Sequence, residues 1–187
     1  MVNNIGTNTI ETERLVLRRF KLDDYKDFYR EIGSDEEVSK YVEWDKHKDE
    51  NVTKELLENW VKEYEEDYTF RWCVTLKDSG ELIGSIDCVH KKVKYCVCEI
   101  GYVYGSKYWG KGYATEALKR VIDYLFNEAN FHTIVAMHMA NNPASGKVMQ
   151  KAEMKYEGTL RDRIIDKTTK EYDDLLSYSI SKEDIDN

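Results

Sequence analysis

The fold is decided by the stretch Tyr108-Trp109-Gly110-Lys111-Gly112-Tyr113-Ala114-Thr115-Glu116-Ala117 of the 187-residue chain. The run before it, Lys94 to Tyr104, is apolar on both faces with Glu99 as the charge inside it, which predicts a buried strand. In the run after it, apolar residues recur at three- and four-residue spacing, which predicts an amphipathic helix from Tyr113 to about Glu128. A strand, a glycine turn and a helix therefore follow one another directly.

This arrangement offers a binding site for a phosphate group. The first turn of a helix has unpaired backbone N–H groups and the positive end of the helix dipole. Gly110 and Gly112 lack the side chains that would keep a phosphate from those donors. Lys111 adds positive charge, and Thr115 adds a hydroxyl in the first helical turn.

Two common phosphate-binding loops do not fit these residues. A Walker loop needs Ser or Thr after its Gly-Lys pair, whereas Lys111 is followed by Gly112. A dinucleotide-binding fold needs Gly or Ala where Thr115 stands, and an acidic residue at a strand end about 20 residues further on. A third class of site also uses a glycine turn before a helix, namely the loop that holds the pyrophosphate of an acyl-coenzyme A.

The rest of the chain predicts an α+β domain, a mixed sheet flanked by helices. A strand at Glu13 to Phe20 precedes helices that end with a long one from Asp49 to Tyr68. A strand hairpin turns at Gly80 within an antiparallel meander of three strands, and a helix, a strand, a short helix and two last strands follow. We expect one domain over residues 1–187, with a core of about 10–182 and frayed segments at 1–9 and 183–187.

Charge, hydropathy and cysteine content indicate which classes of partner and which cellular compartment to expect. The formal net charge of −8 argues against a nucleic-acid binder; it suits a cationic substrate, and it also suits a surface that only keeps the protein in solution. No apolar run approaches the roughly 18 residues of a membrane span, so no membrane association is expected. The four cysteines form no CxxC pair, so no metal site is expected, and free thiols predict a cytoplasmic protein.

Several motifs together resemble those of the GNAT N-acetyltransferase superfamily. Its coenzyme A motif, (Arg/Gln)-x-x-Gly-x-(Gly/Ala), is similar to Trp109 to Ala114, with Trp109 in the Arg/Gln place, as is common in the RimJ/RimL-like branch of ribosomal-protein acetyltransferases. Asn142-Pro143-Ala144-Ser145 matches the Asn-x-x-Ser signature of that branch. Thr12 to Arg18 and Lys155 to Arg161 match its first strand and one of its last strands, so the resemblance spans about residues 10–182.

The resemblance implies the GNAT fold, with a central twisted, mostly antiparallel sheet of about seven strands that contains a splayed parallel pair. It implies acetyl-CoA as co-substrate, with the pantetheine arm along Glu99 to Tyr104 and the thioester carbonyl on backbone N–H groups of that strand. The pyrophosphate then lies on Gly110 to Thr115. The predicted coenzyme-binding residues are Ile100, Gly101, Tyr102, Val103, Trp109, Gly110, Lys111, Gly112, Tyr113, Ala114, Thr115, Asn142 and Ser145.

Two residues are predicted to act in catalysis, each with an alternative role. A cationic amine must lose a proton before it attacks, and burial would raise the pKa of Glu99 into a useful range for a general base. Glu99 could equally be a structural carboxylate paired with Arg71. The resemblance implies that Ser145 lies near the sulfur and protonates the leaving thiolate; alternatively, it is an ordinary residue in the first turn of a helix.

Further side chains are candidates for the site. His138, at the end of the strand Thr133 to Met139, is either a packed polar group or a group that acts on the thiol, and Trp44 and Trp72 are candidates for the wall of an acceptor cleft. Two positions depart from the family pattern. Glu153 stands where the branch has Gly, and Met149 stands where some members have a Tyr general acid.

The sequence thus predicts an acetyl-CoA-dependent N-acetyltransferase that acts on a primary amine, either a protein N-terminus, such as that of a ribosomal protein, or a small amine. The alternative is a non-catalytic acyl-CoA-binding or sensor module. Related enzymes often dimerise, so a homodimer is an expectation. Acceptor specificity in this superfamily lies in regions that correspond to Val38 to Asp49 and Arg161 to Tyr172.

Overall fold

The computed structural model describes residues 1–185 and is built on one eight-stranded sheet in the order β1-β2-β3-β4-β5-β6-β8-β7. The strands are Ile10–Glu11 (β1), Leu15–Arg18 (β2), Arg71–Leu76 (β3), Leu82–Lys92 (β4), Val97–Tyr104 (β5), Thr133–Met139 (β6), Lys155–Ile165 (β7) and Tyr172–Ser181 (β8). The α-helices are Tyr25–Phe28 (α1), Glu36–Ser39 (α2), Glu50–Glu63 (α3), Tyr113–Asn127 (α4) and Pro143–Lys151 (α5). The predicted α+β class is confirmed. The two-residue strand β1, which pairs Ile10 with Leu17, accounts for eight strands where about seven were expected.

Strands β5 and β6 form the one parallel pair of the described sheet, and they separate partway along their length. Their pairing runs from Val97 opposite Thr133 to Ile100 opposite Ala136 and then stops. Beyond that point β5 continues to Tyr104 beside β4, and β6 continues to Met139 beside β8. The expected splayed pair is therefore present, and the gap between the two strands begins after Ile100 and Ala136.

Helices cover both faces of the sheet. On one face, α4 and α5 pack on a large cluster that includes Leu118, Leu125 and Met149 together with strand residues such as Ile100 and Ala136. On the other face, α1 and α3 pack on a smaller cluster of buried side chains. Its members are Phe20, Phe28, Ile32, Val38, Leu57, Cys73 and Leu82. Because side chains alternate along a strand, the even-numbered residues of the splayed part of β5 face α4, and the odd-numbered residues face the α1/α3 side.

The prediction that residues 1–9 fray is wrong. Val2 is buried, the Asn3 backbone N–H donates to the Ala129 carbonyl, and the Thr7 hydroxyl donates to the Thr69 carbonyl. The physical reason is that this segment crosses the end of α4 and the start of β3, where it satisfies backbone groups that would otherwise lack partners. At the other end, Ser181 and Asp184 form a capped turn, and residues 186–187 lie outside the described part of the chain.

Two predicted elements are shorter than expected, for local reasons. The strand expected from Lys94 begins at Val97, because a short 3₁₀ turn ends at Cys96 in the left-handed conformation (φ 54°). The long helix expected to reach Tyr68 ends at Glu63, and Tyr68 itself has a positive φ of 61°. Within residues 1–185 no helix is long and apolar enough to cross a membrane.

Candidate active site

The glycine loop joins the end of β5 to the start of α4 through backbone conformations that favour glycine. Gly110 and Gly112 have φ values of 73° and 82°, in the left-handed region. A Cβ atom added at Gly110 would meet no atom within 4 Å, so this residue faces open space. The loop thus brings the predicted residues Trp109 to Thr115 onto one exposed edge.

The start of α4 suits an anionic group. Gly112 caps the helix without a side-chain hydrogen bond, and the first intrahelical bond is donated by the Glu116 N–H to the Gly112 carbonyl. The N–H groups before Glu116 are therefore available to a ligand, and the helix dipole adds a partial positive charge there. These donors, with the open space at Gly110, fit the pyrophosphate of coenzyme A.

A cluster of Thr12, Arg14 and Glu116, which the sequence analysis did not predict, holds the glycine loop in place. Glu116 accepts hydrogen bonds from the Thr12 hydroxyl (2.5 Å), the Arg14 N–H (2.9 Å) and the Arg14 guanidinium (2.7 Å). Arg14 also donates to the Lys111 carbonyl (3.1 Å) and lies over the Tyr113 ring. The chain just before β2 therefore holds both the loop and the first turn of α4. The family motifs had already singled out both stretches, but they gave no sign that the two touch.

Trp109 has a structural role that the motif position alone did not reveal. Its indole N–H donates to the carbonyl of Tyr104, the last residue of β5, at 2.7 Å. Its ring lies 6.1 Å from that of Tyr41, centroid to centroid. Trp109 thereby closes the loop against the end of the strand. A contact with coenzyme stays a prediction for this half-exposed side chain.

The α4 side of the gap is lined by a pair of hydroxyl groups. Tyr102 reaches from β5 to α5, where its hydroxyl lies 2.8 Å from the Ser145 Oγ and donates to the Ser145 carbonyl at 3.0 Å. Asn142 caps α5, and its Oδ1 accepts from the Ser145 N–H at 3.3 Å. Asn142, Ser145 and Tyr102 are thus brought together at the first turn of α5, and their contact with coenzyme stays a prediction.

Two buried polar atoms on the same side of the sheet lack a hydrogen-bond partner among the described residues. They are the Tyr104 Oη and the His138 Nε2. The Nδ1 of His138 donates to the Met139 carbonyl at 2.8 Å, which leaves the Nε2 as the unpaired ring nitrogen. Buried polar atoms are nearly always satisfied, and these two lie on the strands that border the gap. Both atoms are shut off from solvent, and the His138 Nε2 packs against Gly146 of α5.

Glu99 lies on the opposite side of the sheet from Tyr102, beside the point where the strands separate. Burial raises its pKa above the ordinary value, the nearby Glu43 carboxylate adds to the rise, and His90 and Lys92 oppose it. The Glu99 carboxylate has no hydrogen bond or salt bridge within residues 1–185. The proposed pairing with Arg71 is wrong, because Arg71 instead binds Glu63 and Asp87.

The two regions expected to set acceptor specificity meet on the Glu99 side. The ammonium of Lys167, in the β7–β8 turn, donates to the Trp44 carbonyl at 2.7 Å and to Asp45 at 2.9 Å. Beneath this bridge lies a cavity of about 160 Å³, whose lining includes Val42, Glu43, Met139 and Ile165. Trp72 takes no part, since it is fully buried in the core, so that candidate was wrong.

Other features lie away from this site. A larger cavity of about 340 Å³, between α4 and the end of β8, contains none of the predicted site residues. Glu153 has a φ of 67°, so it occupies the left-handed position that would suit glycine, and it pairs with Lys119. In the part of the chain that the structure describes, no group of three or more His, Cys, Asp or Glu side chains is placed to hold a metal ion.

The fold and the glycine loop define an acetyltransferase, and comparison with known proteins gives the family. The family model described as "Acetyltransferase (GNAT) domain" matches residues 14–155, and the chain belongs to this family. It is 34% identical over 176 residues to the uncharacterized N-acetyltransferase YnaD of Bacillus subtilis, a match that covers 94% of this chain and 98% of the relative.

Solved structures agree with this assignment and confirm the predicted GNAT fold. The crystal structure of a GNAT-family acetyltransferase from Bacillus anthracis is 31% identical with a TM-score of 0.82, and the match covers 94% of this chain and 99% of that one. RimL, a ribosomal L7/L12 α-N-protein acetyltransferase solved with coenzyme A, has a TM-score of 0.84 over 93% of this chain and 98% of its own. At 14% identity, its likeness concerns the fold.

Proposed function

We propose that this protein transfers an acetyl group from acetyl-CoA to a primary amine. The observation that carries the proposal is the uncapped start of α4, open at Gly110, which lies beside the gap between β5 and β6. Family membership supplies the class of reaction. The acceptor is a protein N-terminus or a small amine, and the acidic net charge suits both.

The coenzyme would extend from the loop into the gap. Backbone N–H groups from Gly110 to Thr115 would hold the pyrophosphate, with Lys111 adding charge outside. The pantetheine arm would follow Ile100 to Val103, whose edge is free of β6 beyond Ile100. Asn142 would face the arm from the start of α5.

The chemistry requires a base on one side of the gap and a hydrogen-bond donor on the other. Glu99 takes a proton from the ammonium of the acceptor, directly or through water, and the free amine attacks the thioester carbonyl. The C–N bond forms, the C–S bond breaks, and the nitrogen loses its second proton. The thiolate accepts one proton, so the reaction releases one proton overall.

Release of free thiol from acetyl-CoA tests the proposal directly. A panel of peptides with free N-termini, each beside its N-blocked form, and of small primary amines would be assayed with the whole chain. Turnover with any acceptor is the expected result, and the acetylated amine would be identified by mass. Tight coenzyme A binding with no turnover on any acceptor would instead favour the non-catalytic module.

The pH dependence tests Glu99 as the base. A base acts only when deprotonated, so kcat/KM should rise with pH through the pKa of Glu99, which lies above that of an ordinary glutamate. Glu99→Gln should lower the rate by roughly a hundredfold or more and remove this rise. Glu13→Gln, at an exposed position, is the matched control and should behave as the parent protein. An unaltered pH profile in Glu99→Gln would exclude Glu99 as the base.

A further inference from the structure

The contact between Tyr102 and Ser145 joins strand β5 to helix α5. The tyrosine hydroxyl lies within hydrogen-bond distance of both the side-chain oxygen and the carbonyl oxygen of Ser145. Tyr102 belongs to β5, and Ser145 belongs to the first turn of α5. The position of the serine hydroxyl is therefore set by a strand residue as well as by its own helix.

The two hydroxyls can arrange their hydrogens in two ways. In the first, Ser145 donates to Tyr102, and Tyr102 donates to the Ser145 carbonyl. In the second, Tyr102 donates to the Ser145 Oγ, which leaves the serine hydrogen free to point elsewhere. Each hydroxyl has one hydrogen and two lone pairs, so the first arrangement uses both hydrogens, whereas the second leaves the serine hydrogen available to an acceptor outside the pair; the two differ only by rotation of two O–H bonds.

Burial decides what Tyr102 can do in this pair. It raises the pKa of the Tyr102 phenol to about 12, whereas an ordinary thiol has a pKa of about 8.5. A thiolate is too weak a base to take the phenol's proton. Both oxygens therefore keep their protons, and the pair can stabilise a thiolate by hydrogen bonding alone.

We propose that Tyr102 is a positioning residue that turns the Ser145 hydroxyl toward the sulfur as the C–S bond breaks. This inference rests on the proposed function and adds to it a residue for leaving-group stabilisation. While the thioester is intact, the pair holds the first arrangement. When negative charge develops on the sulfur, Ser145 donates to it and Tyr102 shifts its hydrogen from the Ser145 carbonyl to the Oγ. Water then supplies the proton that the thiolate takes up.

Kinetics of Tyr102→Phe form the first part of the test. The substitution keeps the ring and removes the hydroxyl, so kcat should fall roughly tenfold, about the effect of one hydrogen bond to a charged group, while the KM for acetyl-CoA stays unchanged. Because Tyr102 acts through Ser145, adding Tyr102→Phe to Ser145→Ala should cause no further loss. Tyr95→Phe, at an exposed position outside the site, is the matched control.

Titration of bound coenzyme A gives a readout that does not depend on turnover. Thiolate absorbance in the ultraviolet reports the pKa of the thiol of coenzyme A bound to the intact chain. We expect this pKa to lie below that of free coenzyme A in the parent protein, and to rise by about one unit in Tyr102→Phe and in Ser145→Ala. A purely structural role would leave the thiol pKa unchanged.

Two results would overturn the proposal. One is the same pKa of the bound thiol in the parent protein and in Tyr102→Phe, when thermal melting shows that both proteins are folded. The other is an equal loss of kcat from Tyr102→Phe in the presence and absence of the Ser145 hydroxyl. Failure of the proposed function is a separate outcome, since it would appear as absent coenzyme A binding or absent turnover in the parent protein itself.

Discussion

Replacement of Gly110 by valine should weaken coenzyme A binding far more than it weakens the fold. Gly80, in the β3–β4 turn, provides a control that is matched in geometry. The two glycines have φ values of 73° and 74°, both are exposed, and a Cβ at either would meet no atom within 4 Å. The same substitution therefore causes the same backbone strain at both positions, and only Gly110 faces the proposed anion site.

The structure sets the size of each effect. A side chain in the left-handed region costs roughly 1–2 kcal/mol, and each kcal/mol should lower Tm by about 2–4 °C for a chain of this length. Gly110→Val and Gly80→Val should therefore melt at similar temperatures below the parent protein. At Gly110 the added side chain also blocks one or two N–H bonds to phosphate, which should raise the Kd of coenzyme A between about tenfold and a hundredfold.

Isothermal titration with coenzyme A and with pantetheine separates the effect of blocked phosphate donors from the effect of backbone strain. Pantetheine lacks the pyrophosphate, so its affinity should be the same in all three proteins. Unchanged coenzyme A affinity in Gly110→Val would refute the assignment of the loop to the pyrophosphate. Equal weakening in Gly80→Val would show that strain transmitted through the fold, and not blocked donors, causes the loss.

Three further perturbations test other contacts of the site. Gly146→Ala places a Cβ 2.5 Å from the His138 Nε2, so unfolding free energy should fall by about 1–3 kcal/mol in chemical denaturation, and less when His138 is also shortened to alanine. Glu116→Ala leaves Arg14 and the loop unsupported; calorimetry should show several-fold weaker coenzyme A binding, and Glu13→Ala should not. Lys167→Met releases the β7–β8 turn from Trp44 and Asp45, so initial rates should give a higher KM for the acceptor at an unchanged KM for acetyl-CoA; a changed acetyl-CoA KM alone would contradict this.

Local patterns in the sequence were enough to predict the elements that surround the site. Glycines that directly precede an amphipathic helix identify the loop, because only a few residues and one hydrogen-bonding rule are involved. Asn142 obeys a local rule of the same kind, because it caps α5 directly before Pro143. The splayed pair came from the family resemblance, since no local pattern reveals where two strands stop pairing.

Contacts between distant segments were not predictable in the same way. Thr12 and Arg14 bind Glu116 across about a hundred residues, and Lys167 reaches the backbone of Trp44 across 123. The partner of Arg71 was misassigned because Glu63, Asp87 and Glu99 are all acidic and all plausible neighbours. Only the register of β4 against β3, which sets Asp87 opposite Arg71, decides among them.

The Lys167 bridge has a consequence for the evolution of acceptor choice. The ammonium of Lys167 binds a main-chain carbonyl of the other segment as well as a side chain. The contact therefore depends on the backbone position of that segment and not only on its charge. A hybrid that receives the β7–β8 turn of a relative, but keeps residues 38–49 of this chain, would lose that fit even if every residue of the new turn were suited to a new acceptor. The two segments must be exchanged as a unit, and we expect substitutions in one to be accompanied by substitutions in the other.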